Sequence, residues 1–292
     1  MQGDQTRAAI AAQPEWLRLV PADRRLSEGR AVFTGCGSSF HAAQTGGCAV
    51  QALEAVLSPP DADLMVVVSH EGGTALALEA ARAFSGQLWL VTGAAESPLA
   101  ELADEVVVAT PAIEQSWCHT VSYTCAVATL AALRGDDVSW LPEAVAEELE
   151  VRETVSPHER FLVAGAGRDW PTAQEAALKL REGAFVAAEA HHTEQLLHGH
   201  LAAVDETVRC FVLEGEGRAA GRARDAVAAL RELGCDVTLV PTRHPVVDVI
   251  RFQQLTVDLA DARGVNPDLI RRDDERWARA AAAHKDSASP PA

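Results

Sequence analysis

At 292 residues, 48% of them apolar, the chain can bury the cores of two ordinary domains. A formal charge of −17 argues against nucleic acid or an anionic membrane as the main partner, and implies that an anionic ligand must be held by local dipoles and hydrogen bonds. Nothing at the N-terminus reads as a signal peptide and no apolar run approaches a membrane span, so a cytoplasmic location is expected.

In chain order, residues 1–28 read as a helical lead-in, with apolar positions at helical spacing from Arg7 to Val20. A first domain is expected over 29–150. It opens with a strand, Ala31 to Thr34, that runs through Gly35-Cys-Gly-Ser-Ser39 into an Ala-rich helix ending near Leu57. A second strand, Leu64 to Ser69, runs through His70-Glu-Gly-Gly-Thr74 into a helix ending near Phe84. Strands at 88–92 and 105–109 and a helix at 121–133 follow. Residues 134–158, acidic and broken by Pro142 and Pro157, read as the interdomain linker. The rhythm restarts in a second domain over 151–264, with strands at 160–164, 208–213 and 236–240 and helices at 172–188, 218–233 and 247–263. Residues 265–292 read as a tail whose Ser/Pro/Ala end is expected to be disordered. Strands alternating with helices predict an α/β fold: two tandem, doubly wound parallel sheets in three-layer α/β/α arrangement, a duplicated unit.

Two loops and one helix carry chemistry. The loops at 35–39 and 69–74 each join a strand to a helix N-terminus, where free amides and the helix dipole suit phosphate or another anion. Ordinary N-caps would use the same Ser, Thr and Gly residues, and one such loop does not displace that reading; two at neighbouring strand ends put a ligand site on an equal footing with it. On the helix, Glu175, Lys179 and Glu182 fall at i, i+4 and i+7 on one face, with His198 sixteen residues further on. Only two lysines occur in the chain, Lys179 and Lys285, so a Lys on this face suggests a need for a compact ammonium. From spacing alone, a surface Glu–Lys pair explains the pattern equally well. The cysteines at 36, 48, 118, 125, 210 and 235 show no zinc spacing, and reduced thiols are expected. His191, His192 and His200 lack tightly spaced carboxylate or cysteine ligands, so neither a metal nor any other cofactor is expected.

These motifs resemble the SIS (sugar isomerase) family, most closely the isomerase half of the glucosamine-6-phosphate synthases. Cys36-Gly-Ser-Ser39 matches the family's Cys-Gly-Thr/Ser-Ser, and Ser69-His-Glu-Gly-Gly-Thr74 loosely matches Ser-Gln-Ser-Gly-Glu-Thr. Cys118-His-Thr-Val-Ser-Tyr-Thr124 aligns with Ala-Ser-Thr-Lys-x-Phe-Thr. Gln174 to Glu182 resembles Glu-x-Ala-Leu-Lys-Leu-Lys-Glu, and Glu194-Gln-Leu-Leu-His-Gly-His200 resembles Glu-Leu-Lys-His-Gly-Pro. The similarity runs from about Gln13 to Asn266-Pro-Asp268.

The resemblance implies aldose–ketose isomerisation of a phosphorylated or substituted sugar through an enediol or enolamine. Glu182 would be the base moving a proton between C1 and C2, and His198 would assist ring opening from the other subunit of a homodimer. Glu175 and Lys179 would support the site by charge. Ser38, Ser39, Ser69, His70, Glu71, Thr74, His119 and Thr120 would line the sugar or phosphate pocket. A ketosamine-phosphate deaminase and a non-catalytic sugar-binding protein are the alternatives. Departures are also informative. No glutaminase domain precedes the motifs and no cysteine follows Met1, so glutamine-derived ammonia is not expected. Arg271 and Arg272 occupy the region of the family's C-terminal lysine. Glu71 stands at a serine position, where a carboxylate would repel phosphate unless it turns away or pairs with His70 or His119.

Overall fold

The apolar runs become parallel strands in the computed structural model, which describes residues 2–285. Helix α1, Asp4–Leu17, leads into β1, Ala31–Thr34; α2 (Ser38–Gly46) and α3 (Ala52–Leu57) follow. Next come β2 (Leu64–Val68), α4 (Ala75–Ala83), β3 (Gln87–Thr92), β4 (Glu105–Val108), α5 (Val121–Arg134) and α6 (Leu141–Glu148). The second series is β5 (Arg160–Gly165), α7 (Trp170–Ala184), β6 (Ala187–His192), α8 (Thr193–Leu197), β7 (Val208–Leu213), α9 (Arg218–Glu232) and β8 (Asp236–Val240). It closes with α10 (Pro245–Asp248), α11 (Ile250–Arg263) and α12 (Glu275–Lys285). Contacts divide the chain into two compact units: Ala11–Glu143 with the segment from Asp268 on, and Ala144–Pro267 with the start of the chain up to Ile10.

In the first unit the sheet runs β1-β2-β3-β4, all parallel. A single parallel bridge, Phe33 to Ala49, adds a short rung on the far side of β1. The chain therefore leaves β1 to one side and returns to β2 on the other, so the order reverses between β1 and β2. Met65 and Val67 face the cluster built with α3 and α4, including Ala55, Ala77 and Ala80. Helices α2 and α5 pack together and reach the sheet through β1, β2 and β3.

The second unit repeats the plan with order β6-β5-β7-β8, again parallel, reversing between β5 and β7. Alternation separates its two cores. Phe161, Val163, Phe211 and Leu213 pack with Ala173, Ala176 and Leu180 of α7 and Phe252 of α11. Leu162, Ala164, Cys210 and Val212 pack with Ala223, Ala226 and Leu230 of α9.

The elements differ from expectation at several places, among them α8 and the split of the helix expected over 247–263 into α10 and α11. The helix expected to run to Leu57 breaks into α2 and α3, because Gly46 packs on Phe33 and Gly47 takes φ 149°. The helix expected to reach residue 188 stops at Ala184, where Phe185 turns left-handed (φ 57°), and an edge strand, β6, follows. The acidic linker contains α6, and the charged stretch after 265 contains α12. The Ser/Pro/Ala tail expected to be disordered lies outside the described residues.

Candidate active site

The second unit carries the acid–base cluster on α7. Apolar residues fix the helix to the sheet, and the opposite stripe aligns Glu175, Lys179 and Glu182. Lys179 is 1% exposed, with Nζ 3.4 Å from Glu175 Oε1 and 2.6 Å from Glu182 Oε2. Glu175 is fully buried, whereas Glu182 is 26% exposed. The surface-pair reading is therefore corrected: this is a buried ion-paired cluster with one carboxylate reaching solvent. A buried ammonium needs such partners, because its desolvation is otherwise prohibitive. Glu182 Oε2 is held by Lys179, and no protein partner takes Oε1 among the described residues.

His198 lies at the C-cap of α8, 69% exposed, its Nε2 2.7 Å from Glu194 Oε1. Glu194 is in turn held by Arg222 at 2.7 Å. No hydrogen bond or ion pair joins His198 to Glu182 among the described residues. His191 pairs with Glu189 at 3.1 Å, and its ring lies 4.4 Å from that of His200, while His192 stacks on Trp170 at 3.8 Å. Among the described residues no group of three or more His, Cys, Asp or Glu comes together to hold a metal.

The first unit carries the loops. Ser38 and Ser39 begin α2 and Thr74 caps α4, and neither helix has a side-chain cap at its N-terminus. Ser69, buried at the end of β2, donates its amide to Val91. Both loops open at the carboxyl ends of β1 and β2, where the strand order reverses, the usual ligand position in such sheets.

The third helix start on this sheet is different. Glu114, buried, accepts from the amide and hydroxyl of Thr120 at 2.8 and 2.9 Å. It also accepts from the amide and hydroxyl of Ser122 at 2.9 and 2.6 Å. The protein's own carboxylate thus fills the anion position at the N-terminus of α5. Burial opposes ionisation of Glu114, but His119 and the Ser122 hydroxyl and amide outweigh it and bring its pKa to about 2. Thr120, expected in the ligand pocket, is corrected to a structural role, since both its donors serve Glu114. Glu114 escaped the sequence reading because an acid upstream of the cap does not form the usual Ser/Thr-x-x-Glu pattern.

His70 and His119 are also corrected as partners of Glu71. His70 Nε2 accepts the Glu114 amide at 2.9 Å, so its proton belongs on Nδ1. Burial lowers its pKa to about 4, with nearby His119 adding to the drop and Glu114 opposing it. His119 meets His70 edge-on at 5.4 Å and lies 3.9 Å from Glu114. Glu71 is exposed and forms no ion pair among the described residues.

Residues 155–265, which contain α7, the His198 turn and the whole second sheet, match the family model described as SIS domain. This segment is a SIS domain. The chain is 28% identical over 232 residues to a glutamine–fructose-6-phosphate aminotransferase (isomerizing) of Rhizobium leguminosarum bv. viciae, a match covering 66% of this chain and 38% of the relative. The chain spans between 30 and 50% of the length of the first curated relatives it matches. Among solved structures, the C-terminal domain of glucosamine-fructose-6-phosphate aminotransferase from Francisella tularensis superposes with TM-score 0.77 at 20% identity, covering 90% of this chain and 97% of that one. A glucosamine-6-phosphate deaminase from Thermotoga maritima gives TM-score 0.75 at 21% identity, covering 91% and 97%. The tandem parallel sheets that the motifs led us to expect are thus those of the SIS fold. No helix among the described residues is long and apolar enough to cross a membrane.

Proposed function

We propose that the chain is an aldose–ketose isomerase of a phosphorylated or otherwise substituted sugar, with Glu182 as the base. The observation that carries this reading is the α7 cluster: Lys179 buried between two carboxylates, of which only Glu182 reaches solvent. Glu182 removes the proton from C1 of an open-chain ketose, and the electron pair forms the C1–C2 double bond and drives the carbonyl pair onto O2. A proton passes from the O1 hydroxyl to O2, and the same carboxyl returns its proton to C2 to give the aldose. Lys179 fixes Oε2 and so directs Oε1 to the substrate; Glu175 keeps the ammonium in place. His198, paired with Glu194, opens the sugar ring by proton transfer, acting across a homodimer as in the family it resembles. The open helix starts at Ser38–Ser39 and Thr74 suit an anionic group, and exposed Glu71 favours a sugar other than fructose 6-phosphate.

A general base contributes on the order of 10²–10⁴-fold, so Glu182→Gln should lose that much turnover while binding stays within a few-fold. The assay follows solvent deuterium entering C2 across a panel of sugar phosphates and amino-sugar phosphates, with ammonia measured in parallel. Exchange without ammonia supports the isomerase. Ammonia release with ketose formation identifies a deaminase using the same base, and more than a tenth of activity left in Glu182→Gln removes Glu182 from the role.

A further inference from the structure

The second sheet has its own reversal point, between β5 and β7, and the loops above it are not used by the Glu182 cluster or by His198. Gly217 caps α9 with φ 56° and ψ −118°, almost the conformation of Gly37 at the start of α2 (φ 56°, ψ −132°). A Cβ on either glycine would meet nothing within 4 Å, so both are open backbone ledges. Helix α9 has no side-chain cap, and its first turn carries Arg218 and no acid. Arg218 is exposed and forms no ion pair among the described residues. A cation on the positive end of a helix is unfavourable by itself and suits an approaching anion.

Beside this ledge lie two carboxylates short of donors. Asp169, 1% exposed, follows β5 and reaches Thr242 beyond β8, whose hydroxyl donates to its Oδ2 at 3.1 Å. Gly215, at the end of β7, lies between them: its amide donates to Thr242 at 3.1 Å, and a Cβ there would come 3.2 Å from Asp169 Oδ2. Asp169 Oδ1 is buried without a hydrogen bond; the nearest cation, Arg168 Nε, is 3.9 Å away, and that guanidinium donates to Glu216 at 2.6 Å. Asp248 accepts the Arg243 amide on Oδ1 at 2.8 Å, while its Oδ2 is buried without a hydrogen bond. Burial pushes both carboxyls up, Asp248 to about 7, with Asp169 adding to the shift. Buried acceptors lacking donors call for a ligand that brings hydroxyls.

We propose that the second unit carries a separate sugar-phosphate site at this reversal point. Its phosphate rests on the α9 N-terminus and Arg218, and its hydroxyls hydrogen-bond with Asp169 Oδ1 and Asp248 Oδ2. The site repeats, in the second copy of the fold, the position that the His70–Thr74 loop holds in the first, since β7 stands where β2 does. Its occupant is an effector rather than the reacting sugar, since these loops are not used by the Glu182 cluster or by His198.

The test uses the full chain, labelled with deuterium and 15N, titrated with fructose 6-phosphate and separately with inorganic phosphate while amide shifts are followed. The Gly217, Arg218 and Ala219 amides should move saturably with both probes. Arg218→Glu, a surface change, should weaken both by about tenfold or more. Asp169→Asn should weaken fructose 6-phosphate by a similar factor but leave inorganic phosphate unchanged; Asp248→Asn reads the same end if the first variant does not fold. No saturable shift at Gly217–Ala219, or shifts there that Arg218→Glu does not alter, overturns the proposal. The isomerase reading is judged separately, by deuterium entry at C2.

Discussion

Glu114→Gln tests the account of α5 most directly, because it preserves shape and removes only the charge and one acceptor. Whichever way the new amide lies, its NH₂ faces either the Thr120 or the Ser122 backbone amide, at a contact now 2.8 or 2.9 Å long. The hydroxyls of those residues can turn; the backbone N–H cannot. A buried donor left without an acceptor costs about 1–3 kcal/mol. Loss of a buried negative charge at a helix N-terminus adds about 1–2 kcal/mol. The sum, about 3 kcal/mol, is two decades in the local opening equilibrium, so hydrogen-exchange protection of the first turn of α5 should fall about 100-fold. If that opening is tied to unfolding of the whole unit, its melting temperature drops by about 10 °C. Protection within threefold of wild type and an unmoved melting temperature would refute the carboxylate cap.

Three further outcomes follow from other clusters. Lys179→Met leaves Glu175 buried without its cation and should cost about 3–5 kcal/mol by urea unfolding, while Glu175→Gln combined with Lys179→Met recovers most of it; equal losses in the single and double variants would refute the pairing. For Asp248, a folded pKa raised from 3.8 to about 7 means the native state holds a proton that the unfolded state has released. Its contribution is therefore full below pH 4 and is lost as pH rises toward 7, by at most about 4 kcal/mol. Asp248→Asn should accordingly gain stability over wild type as pH rises from 4 to 7, and a pH-independent difference would contradict the burial. Glu71→Ser should tighten fructose 6-phosphate binding by removing an anion beside the α4 N-terminus, measured by calorimetric titration; tight wild-type binding with no gain would show that Glu71 does not tune the pocket.

What the sequence made legible was what local periodicity encodes. Glu175, Lys179 and Glu182 share a face because 3.6-residue spacing puts them there, and the strand-end loops announce themselves by Gly and Ser after an apolar run. Burial of that face was not legible, since an exposed Glu–Lys pair has the same spacing. Strand β6 was missed because Ala187-Ala-Glu-Ala-His-His192 has little strand preference of its own; the left-handed turn at Phe185 and pairing along β5 impose the extended form. Glu114 was missed for a related reason: its partners are set by how the loop after β4 folds back onto α5. For Glu71 a turn toward solvent and a partner in His70 or His119 were both open, and the exposed carboxylate keeps its hydration and needs no partner.

The scarcity of lysine gives the buried ammonium one more consequence. A protease that cuts only after lysine has two places to act in the whole chain, and the one inside α7 is closed to solvent. The bond after Lys179 becomes available only when α7 leaves its sheet, so the appearance of two large fragments is a clock for the opening of that unit, built into the native chain and needing no label.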